Sequence, residues 1–582
     1  MTDPSQPVIQ DRSRPSWCRP AGRLRHLAAV LAVGLTLAML VACGTPPPAP
    51  APVATPPAGT PRLLLYLVID QGAYDHLVRF RPLFSGGLKR LLDQGVSFTA
   101  MHHDHAPTET APGHATLATG CFPAHHGVVG NGWYDRQAKK WIEAVDDPED
   151  DLSPRALEVP ALGDWLKERY PQARVFSVSA KDRAAIFTGG LHPDGAFWLD
   201  RDTGRFETSE YYADALPAWL EDFNRQDWLG GFFGTSWEPL PAVAEVLAAG
   251  TYGIAEVPTA PVADRFPHRL GTVSLGPDEA FYYSVTATPL TDTYVGRMAA
   301  AMLAGERLGT DDVPDLLGVS FSLTDIVGHR FGSDSPEILD TLLRLDQTLG
   351  ELLDAVDAQV GLEHTLVSLS ADHGALGNPE HLAAGAHPEA GRYSPEVVRC
   401  VQATARSVEE TLGHGRWTAQ ETYLDRAALA TAGLDRDRVE ADLAQALEAC
   451  PRIEQVWTEA ELRSPAVPGE DPAGELYRHS FHPERSPDLT LQETRFTLAQ
   501  PTVVSGHGSP YDYDTHVPWI VRLPSGLPGV VDTPAKTVDV APSLARWLGI
   551  EPPPDLDGVD RTAIVEATAK ARKPETATVA AP

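Results

Sequence analysis

The chain has 582 residues, of which 43% are hydrophobic, and it carries a formal net charge of −32 at pH 7. A chain of this length can bury a large core, and its negative charge gives no electrostatic attraction for nucleic acid or an anionic membrane. The sequence has neither internal repeats nor long blocks of like charge, so it favours one large domain carrying insertions.

The first 43 residues are typical of an export signal. An apolar segment at 27–42 follows an arginine-rich stretch and is shorter than the roughly 20 residues that span a bilayer. The sequence LVACG at 40–44 resembles a bacterial lipoprotein signal, whose cleavage leaves Cys43 lipidated. We expect a periplasmic or cell-surface lipoprotein held to a bacterial membrane by its lipid, with the Pro- and Ala-rich segment 44–61 as a tether. A short transmembrane anchor is the alternative.

Three apolar runs rich in β-forming residues are each followed by an Asp. Near-continuous apolar runs are typical of parallel strands buried on both faces, and α/β sheets place their sites beyond the carboxyl ends of such strands. The three Asp residues are therefore expected at one edge of a sheet. The runs and their Asp residues are Leu63–Ile69 with Asp70, Leu316–Leu323 with Asp325, and Leu366–Leu369 with Asp372.

Histidines accompany these Asp residues at spacings suited to metal binding. His329 follows Asp325 by four residues, His373 is adjacent to Asp372, and His507 precedes the predicted strand Val517–Val521. Two sets of three ligands are predicted, and mixed carboxylate and imidazole donors favour two zinc ions. The first set is Asp70, Asp372 and His373, and the second is Asp325, His329 and His507.

Other histidines compete for these positions. His516, directly before the predicted strand Val517–Val521, is the alternative to His507 as the last metal ligand. The His-Gly context of His507 favours His507. His102, His103 and His105 form a local cluster, but they follow an alternating strand-like stretch and are not expected to coordinate metal.

The run from Pro107 to His114 places a Thr hydroxyl just before a predicted helix start. A helix N-terminus offers unpaired N–H groups and a partial positive charge, and Pro in the first turn loses no useful donor. This layout suits a nucleophile that accepts a phosphoryl group, although a Thr in this position is commonly an ordinary cap. Both Thr108 and Thr110 fit the pattern.

The rest of the chain predicts a main domain at 62–565 with insertions at about 190–315 and 376–500. Apolar spacing predicts a helix over Arg438–Cys450, which could shape access to the site. Cys400 and Cys450 either form a disulfide or remain buried thiols. The tail at 566–582 has few apolar residues to bury and is expected to be disordered.

Taken in order, these landmarks resemble the alkaline phosphatase superfamily, and within it the type I phosphodiesterase/nucleotide pyrophosphatase group. The resemblance spans most of residues 62–550. It implies a three-layer α/β sandwich with a central, mostly parallel sheet and large insertions, and it favours Thr110 over Thr108 as the nucleophile. The matching segments are Val68–Gln71, Thr110 with Gly113-His114, His126-Gly127 leading to Asn131, Asp325 with His329, Asp372-His373, and His507-Gly508.

Lys181 and Arg183, with the later Phe197–Asp200, resemble the phosphate-irrepressible alkaline phosphatases. A phosphate monoester is dianionic with three non-bridging oxygens, whereas a diester is a monoanion with a second substituent. A Lys point charge and an Arg fork favour the more highly charged group. The pair therefore indicates preference for monoesters, although a Lys-Asp-Arg triplet alone is common on surfaces.

The resemblance implies a metal-dependent phosphate monoester hydrolase acting on small molecules. Thr110 forms a phosphothreonine intermediate that water then hydrolyses, two zinc ions assist both steps, and Asn131, Lys181 and Arg183 hold the phosphate oxygens. The first alternative is a phosphodiesterase or nucleotide pyrophosphatase on the same fold. The second is a surface lipoprotein that binds phosphate or metal without turnover.

Overall fold

The computed structural model describes residues 55–254, 265–271, 275–411, 418–420, 422–465, 469, 471–500 and 502–571. The predicted export signal with Cys43, and the tether up to residue 54, lie outside this part of the chain. No helix in the described ranges is both long and apolar enough to cross a lipid bilayer.

The strands are short except for those that form the centre of the main sheet. In chain order they are β1 Leu63–Ile69, β2 Val96–His102, β3 Gly132–Asp135, β4 Lys140–Glu143, β5 Asp146–Asp147, β6 Asp151–Leu152, β7 Val175–Ser179, β8 Gly195–Asp200, β9 Arg205–Glu207, β10 Ser236–Trp237, β11 His268–Arg269, β12 Asp315–Phe321, β13 Thr365–Ala371, β14 Gly391–Arg392, β15 Thr418–Gln420, β16 Tyr423–Leu424, β17 Ile453–Thr458, β18 Leu489–Glu493, β19 Thr497–Leu498, β20 His516–Arg522, β21 Gly529–Val531 and β22 Ala535–Lys536.

The helices vary from a single turn to the long α12. In chain order they are α1 Tyr74–Phe80, α2 Gly87–Gln94, α3 Thr110–Thr119, α4 Pro123–His126, α5 Leu162–Arg169, α6 Asp182–Gly189, α7 Ala218–Asn224, α8 Pro241–Ala249, α9 Glu279–Val285, α10 Leu290–Gly305, α11 Leu323–Phe331, α12 Pro336–Gln359, α13 Pro379–Ala384, α14 Pro395–Thr411, α15 Arg426–Ala432, α16 Arg436–Leu447, α17 Glu459–Arg463, α18 Pro472–Arg478, α19 Asp512–Thr515, α20 Val540–Trp547 and α21 Thr562–Ala571.

A ten-stranded sheet organises the described chain, with strands in the order β21-β2-β20-β13-β1-β12-β7-β8-β9 and β22 beside β2. β1 pairs in parallel with both β12 and β13, and the parallel pairing continues through β7 to β8. β20 runs antiparallel to both β13 and β2, and β9 runs antiparallel to β8. The three predicted strands that precede Asp70, Asp325 and Asp372 are therefore central, parallel neighbours, as expected.

Both faces of the sheet are covered, which explains the unbroken apolar sequence of β1. Leu65 and Leu67 pack into one core with α1, α2, α10 and α12, whereas Leu64 and Tyr66 pack into the opposite core with α5, α20 and α21. Alternate side chains of a strand point to opposite faces, so a strand between two helix layers needs apolar residues at every position. The predicted three-layer α/β sandwich is confirmed.

The first predicted insertion, at about 190–315, contains part of the main sheet. β8 pairs in parallel with β7 and is almost fully buried, and β9 completes that edge of the sheet. Helix α10, also in this segment, packs against α12 in the main core. Richness in Trp, Tyr and Pro is equally compatible with a buried edge strand, so composition alone does not separate an insertion from the edge of the sheet.

The second predicted insertion, at about 376–500, packs around small cores of its own. The β17–β18 pair and helices α14 to α16 form one of these cores, and Cys400 and Cys450 are joined there by a disulfide of 2.09 Å. The predicted helix Arg438–Cys450 corresponds to α16, which ends at Leu447.

The predicted boundary at residue 565 falls inside α21. This helix continues to Ala571, and its Val565 and Ala569 are 0% and 2% exposed in the core beside β21. The helix continues through residues 566–571 because Val565 and Ala569, four residues apart, lie on one face of the helix and pack against the sheet. The remaining tail, 572–582, lies outside the described ranges.

Candidate active site and metal ligands

The three predicted Asp residues meet at the carboxyl edge of the main sheet. Ile69, at the end of β1, is in register with Phe321 of β12 and Ala371 of β13. Asp70 and Asp372 follow their strands directly, whereas Asp325 lies in the first turn of α11 after β12. Parallel pairing in this register brings residues far apart in the sequence to one place.

The first ligand set consists of Asp70, Asp372 and His373, whose ligand atoms lie within 4.8 Å of one another. All three residues are 0% exposed. His373 Nδ1 donates to the carbonyl of Gly374 at 3.0 Å, which leaves Nε2 as the atom with a free lone pair. Nε2 lies 3.5 Å from Asp70 Oδ1 and 3.7 Å from Asp372 Oδ2.

The second set consists of Asp325, His329 and His507, again with ligand atoms within 4.8 Å of one another. The Nε2 atoms of the two histidines lie 3.0 and 3.4 Å from Asp325 Oδ1. Each Nδ1 donates to a backbone carbonyl, His329 to Ser505 at 2.8 Å and His507 to Thr108 at 2.7 Å. These bonds fix the ring orientations and leave both Nε2 lone pairs facing the carboxylate.

The chemistry of the first set fits a divalent cation. Burial and the neighbouring Asp372 carboxylate raise the pKa of Asp70 well above its usual range, and burial lowers the pKa of His373 to about 3. Asp70 Oδ1 and His373 Nε2 are buried and make no hydrogen bond within the described ranges, whereas Asp70 Oδ2 is paired with the Lys181 ammonium and Asp372 Oδ2 lies 3.1 Å from His114 Nδ1. Such groups are costly to bury unless a cation binds them, and a neutral imidazole beside carboxylates is a zinc-type donor set.

Thr110 begins α3, and the first turn of this helix lies against Asp372. A Cβ added at Gly113 would approach the Asp372 carbonyl oxygen to 2.2 Å, so this close approach requires glycine. His114 Nδ1 lies 2.9 Å from Thr110 O and 3.1 Å from Asp372 Oδ2. Since the carbonyl of Thr108 also holds His507, Thr110 lies between contacts to both ligand sets.

The rival residues are engaged elsewhere. The Thr108 hydroxyl is buried and donates to the Ser509 carbonyl at 3.1 Å. The rings of His102 and His516 stack on each other, and His516 Nε2 donates to the Thr99 carbonyl, away from both ligand sets. His103 lies 3.1 Å from the ring nitrogen of His105, and no potential metal cluster within the described ranges includes either of them.

Asn131 is oriented by the start of α3. The side-chain Oδ1 accepts the Ala111 N–H at 2.8 Å, and the backbone N–H of Asn131 donates to Glu109 Oε2 at 2.6 Å. Because the amide oxygen is occupied, the NH₂ group is the part of this side chain that remains for an anion near Thr110.

Lys181 lies between the two ligand sets. Its Nζ is 2.6 Å from Asp70 Oδ2 and 2.6 Å from Asp325 Oδ2. Burial alone lowers the pKa of this ammonium, but the two carboxylates outweigh burial and raise it. Lys181 is the N-cap of α6, Arg183 lies in the first turn of this helix, and the buried Nε of Arg183 makes no hydrogen bond within the described residues.

Gln71 is a contact residue of the site to which sequence reasoning assigned no role. Its backbone N–H donates to Asp372 Oδ1 at 3.1 Å, and its Nε2 donates to Asp325 Oδ1 at 2.9 Å. Gly328 accommodates it, since a Cβ there would lie 2.1 Å from Gln71 Oε1. Glutamine is not a usual metal ligand, so the only sequence signal was its position directly after Asp70.

The fold and this edge of the sheet can now be compared with known proteins. A family model described as type I phosphodiesterase / nucleotide pyrophosphatase matches residues 64–495. This match extends over most of the chain, which therefore belongs to the type I phosphodiesterase/nucleotide pyrophosphatase family. Metal dependence follows for an enzyme of this class that carries two candidate ligand sets.

Within that family the chain is an alkaline phosphatase-like hydrolase. It is 30% identical over 532 residues to alkaline phosphatase PafA of Elizabethkingia meningoseptica, across 87% of this chain and 94% of that protein. It is 31% identical over 569 residues to alkaline phosphatase PhoK of a Sphingomonas species, across 92% and 97% of the two chains. The crystal structure of wild-type PafA matches with a TM-score of 0.77 and 29% identity, over 87% of this chain and 99% of the other. The predicted family, its alkaline phosphatase branch and the enzyme class are confirmed.

Proposed function

We propose that the protein hydrolyses phosphate monoesters with Thr110 as nucleophile and two zinc ions as cofactors. The observation that carries the proposal is the pair of three-ligand sets flanking Lys181, with the first turn of α3 lying against Asp372. Two cations held a few ångströms apart stabilise the charge that develops on the attacking and leaving oxygens of an in-line displacement. Asp70, Asp372 and His373 hold one cation, and Asp325, His329 and His507 hold the other.

The side chains around Thr110 bind the phosphate. An ammonium has three donors, of which Lys181 directs two towards Asp70 and Asp325, and the third is available to a phosphoryl oxygen. The Asn131 NH₂ group and the Arg183 guanidinium supply further donors, and the N-terminus of α3 adds a partial positive charge. Together they hold the three non-bridging oxygens of a dianion.

The reaction proceeds in two displacements. The Thr110 oxygen bonds to phosphorus while the phosphorus–oxygen bond to the alcohol breaks, and the alcohol departs with a proton. A water oxygen then bonds to phosphorus, the bond to Thr110 breaks, and the hydroxyl regains its proton as inorganic phosphate leaves.

Metal removal, metal analysis and covalent trapping test this proposal. Chelation should abolish hydrolysis of 4-nitrophenyl phosphate, zinc should restore it, and elemental analysis of the purified protein should find about two zinc atoms per chain. Acid quenching during turnover should trap phosphate on Thr110. A fully active Thr110→Ala variant would remove this residue from the mechanism.

The two alternatives give different results. A phosphodiesterase would hydrolyse bis-4-nitrophenyl phosphate more efficiently than 4-nitrophenyl phosphate, and would be insensitive to loss of Lys181 and Arg183. A non-enzymatic binding lipoprotein would bind phosphate or zinc without covalent labelling of Thr110.

We also propose that the protein is exported and anchored by a lipid on Cys43. The support is the basic stretch, the apolar segment 27–42 and the LVACG sequence at 40–44. Metabolic labelling with a fatty acid should mark the wild-type protein and not Cys43→Ala. Labelling of both proteins equally would overturn the anchor.

A further inference from the structure

A cavity of about 240 Å³ adjoins the proposed reaction site. Its walls include Glu109, which directly precedes Thr110, and His507 of the second ligand set. Residues 490, 491, 493 and 497–500 from the insertion also line it. An ester whose phosphate lies at Thr110 therefore has this cavity beside it for its alcohol.

Apart from His507 of the second ligand set, the charged groups that line the cavity are acidic. Glu109, Glu493 and Asp514 line it, and none of its described lining residues is Lys or Arg. Arg495 lies over the ring of Tyr513, a wall residue, but its guanidinium is paired with Asp512. The cavity therefore favours a cationic occupant over a neutral or anionic one.

Asp514 gives an independent indication of a cationic ligand. It is 1% exposed, and its Oδ2 accepts from the N–H and hydroxyl of Ser509 at 2.8 and 2.6 Å. Its Oδ1 is buried and has no hydrogen-bond partner within the described ranges. A buried carboxylate oxygen without a donor is costly, and the positive charge of a ligand ammonium group would compensate it.

Two aromatic rings complete the wall. Tyr477, 3% exposed, and Tyr513 both line the cavity. Aromatic side chains together with carboxylates are common surroundings of a bound alkylammonium group. The cavity is smaller than the roughly 300–1,000 Å³ of pockets for drug-sized ligands.

We propose that this cavity receives the leaving group of small amino-alcohol phosphates, monoesters of the ethanolamine or choline type. The inference rests on the proposed phosphomonoesterase function and specifies its substrate class. The ammonium group also reduces the net negative charge of the substrate, which lessens its repulsion by a chain of net charge −32.

The test compares choline phosphate with its uncharged isostere, 3,3-dimethylbutyl phosphate. The ammonium group also makes its alcohol a better leaving group, so the preference of the wild type alone is not diagnostic. The diagnostic quantity is the ratio of the two kcat/KM values in Glu493→Gln relative to the wild type. We expect the ratio of kcat/KM for choline phosphate to kcat/KM for the isostere to be about tenfold lower in this variant than in the wild type. Such a decrease is the effect of one favourable contact to a cation.

The matched control is Glu484→Gln, which removes the same charge from an exposed position in the same insertion and should leave the ratio unchanged. Thermal melting of both variants shows that they fold. An unchanged ratio in Glu493→Gln, or equal loss in the control, would overturn the inference while hydrolysis of 4-nitrophenyl phosphate still supported the proposed function. Faster turnover of 4-nitrophenyl phosphocholine, a diester, than of choline phosphate would also overturn it.

Discussion

Gln71 contacts both ligand sets although it belongs to neither. Its backbone N–H holds Asp372, its side chain holds Asp325, and its backbone adopts a φ of 60°. Glutamine at positive φ is unusual, and such a conformation persists where surrounding contacts fix it. Gln71 is therefore a positioning residue that sets the spacing between the two carboxylates.

Replacing Gln71 by Ala should weaken cation binding at the second ligand set by about 10- to 100-fold, the usual effect of losing a group that orients a ligand. The backbone bond to Asp372 remains, so the loss should be confined to the set containing Asp325. Competition with a chromophoric chelator measures both affinities.

The control for Gln71 is Gln359→Ala. This side chain also donates to buried acceptors, the carbonyls of Leu303 and Leu308, but at a distance from the ligand sets. It should lower thermal stability without changing zinc affinity. Equal zinc affinities for Gln71→Ala and the wild type would contradict the positioning role.

The site residues that could be predicted from the sequence were those whose residue type itself indicates a function, such as metal binding. An Asp after a buried strand and a His close to it in the sequence suggest ligands, and the His-Gly context favoured His507, so all six candidate ligands were predicted from the sequence. The contact of Lys181 with both Asp70 and Asp325 depends on how α6 packs beside β12, which one sequence does not reveal. Gln71 and the acidic cavity were missed for the same reason.

At the scale of elements, the close packing of α3 against the loop after β13 requires a glycine at position 113. Gly113→Ala would place Cβ 2.2 Å from the Asp372 carbonyl oxygen and 2.8 Å from its Cβ, both inflexible neighbours. The helix start must then shift, and a displacement of about 1 Å at a nucleophile costs about 100-fold in rate. We expect kcat for 4-nitrophenyl phosphate to fall by about that factor.

Gly350→Ala is the matched control. Gly350 lies inside α12, and a Cβ there meets its nearest neighbour at an ordinary 3.4 Å, so activity should be retained. If Gly113→Ala kept wild-type kcat, the close seating of α3 would not govern the reaction.

The disulfide links α14 to the turn that follows α16, within the insertion that forms one wall of the cavity. A cross-link between residues 50 apart in the sequence stabilises by roughly 2–4 kcal/mol, chiefly by restricting the unfolded chain. The Cys400→Ala/Cys450→Ala variant should therefore lose thermal stability and become more sensitive to proteolysis within the insertion. Cys121→Ala, which removes a buried free thiol, serves as the comparison. Unchanged proteolysis of the double variant would mean that packing alone holds the insertion.

Element boundaries were predictable where burial leaves a strong pattern and not where packing decides. β1 is apolar at all seven positions and was predicted to the residue. β8 was assigned to an insertion because its aromatic-rich composition does not reveal that it pairs with β7. The end of α21 was missed because only Val565 and Ala569 attach it to the sheet layer.

For the whole molecule, the net charge of −32 opposes the approach of a dianionic ester. Raising ionic strength from low to physiological values shortens the screening length to about 8 Å and should weaken this repulsion. We expect kcat/KM for 4-nitrophenyl phosphate to rise by about two- to fivefold, with kcat little changed because the effect is on encounter. A flat or falling kcat/KM over this range would show that the acidic surface does not control association.

The ligands are distributed along almost the entire polypeptide, from Asp70 after the first strand to His507 shortly before β20. A growing chain on the ribosome therefore holds the complete first set and two of the three donors of the second long before the last imidazole is made, and no product truncated before His507 can assemble the second set. Such long-range pairing makes assembly slow, because distant segments must be ordered before their contacts form. Hydrolytic competence is thus acquired only near the end of synthesis, and premature termination anywhere before His507 should yield polypeptides that do not turn over phosphate esters.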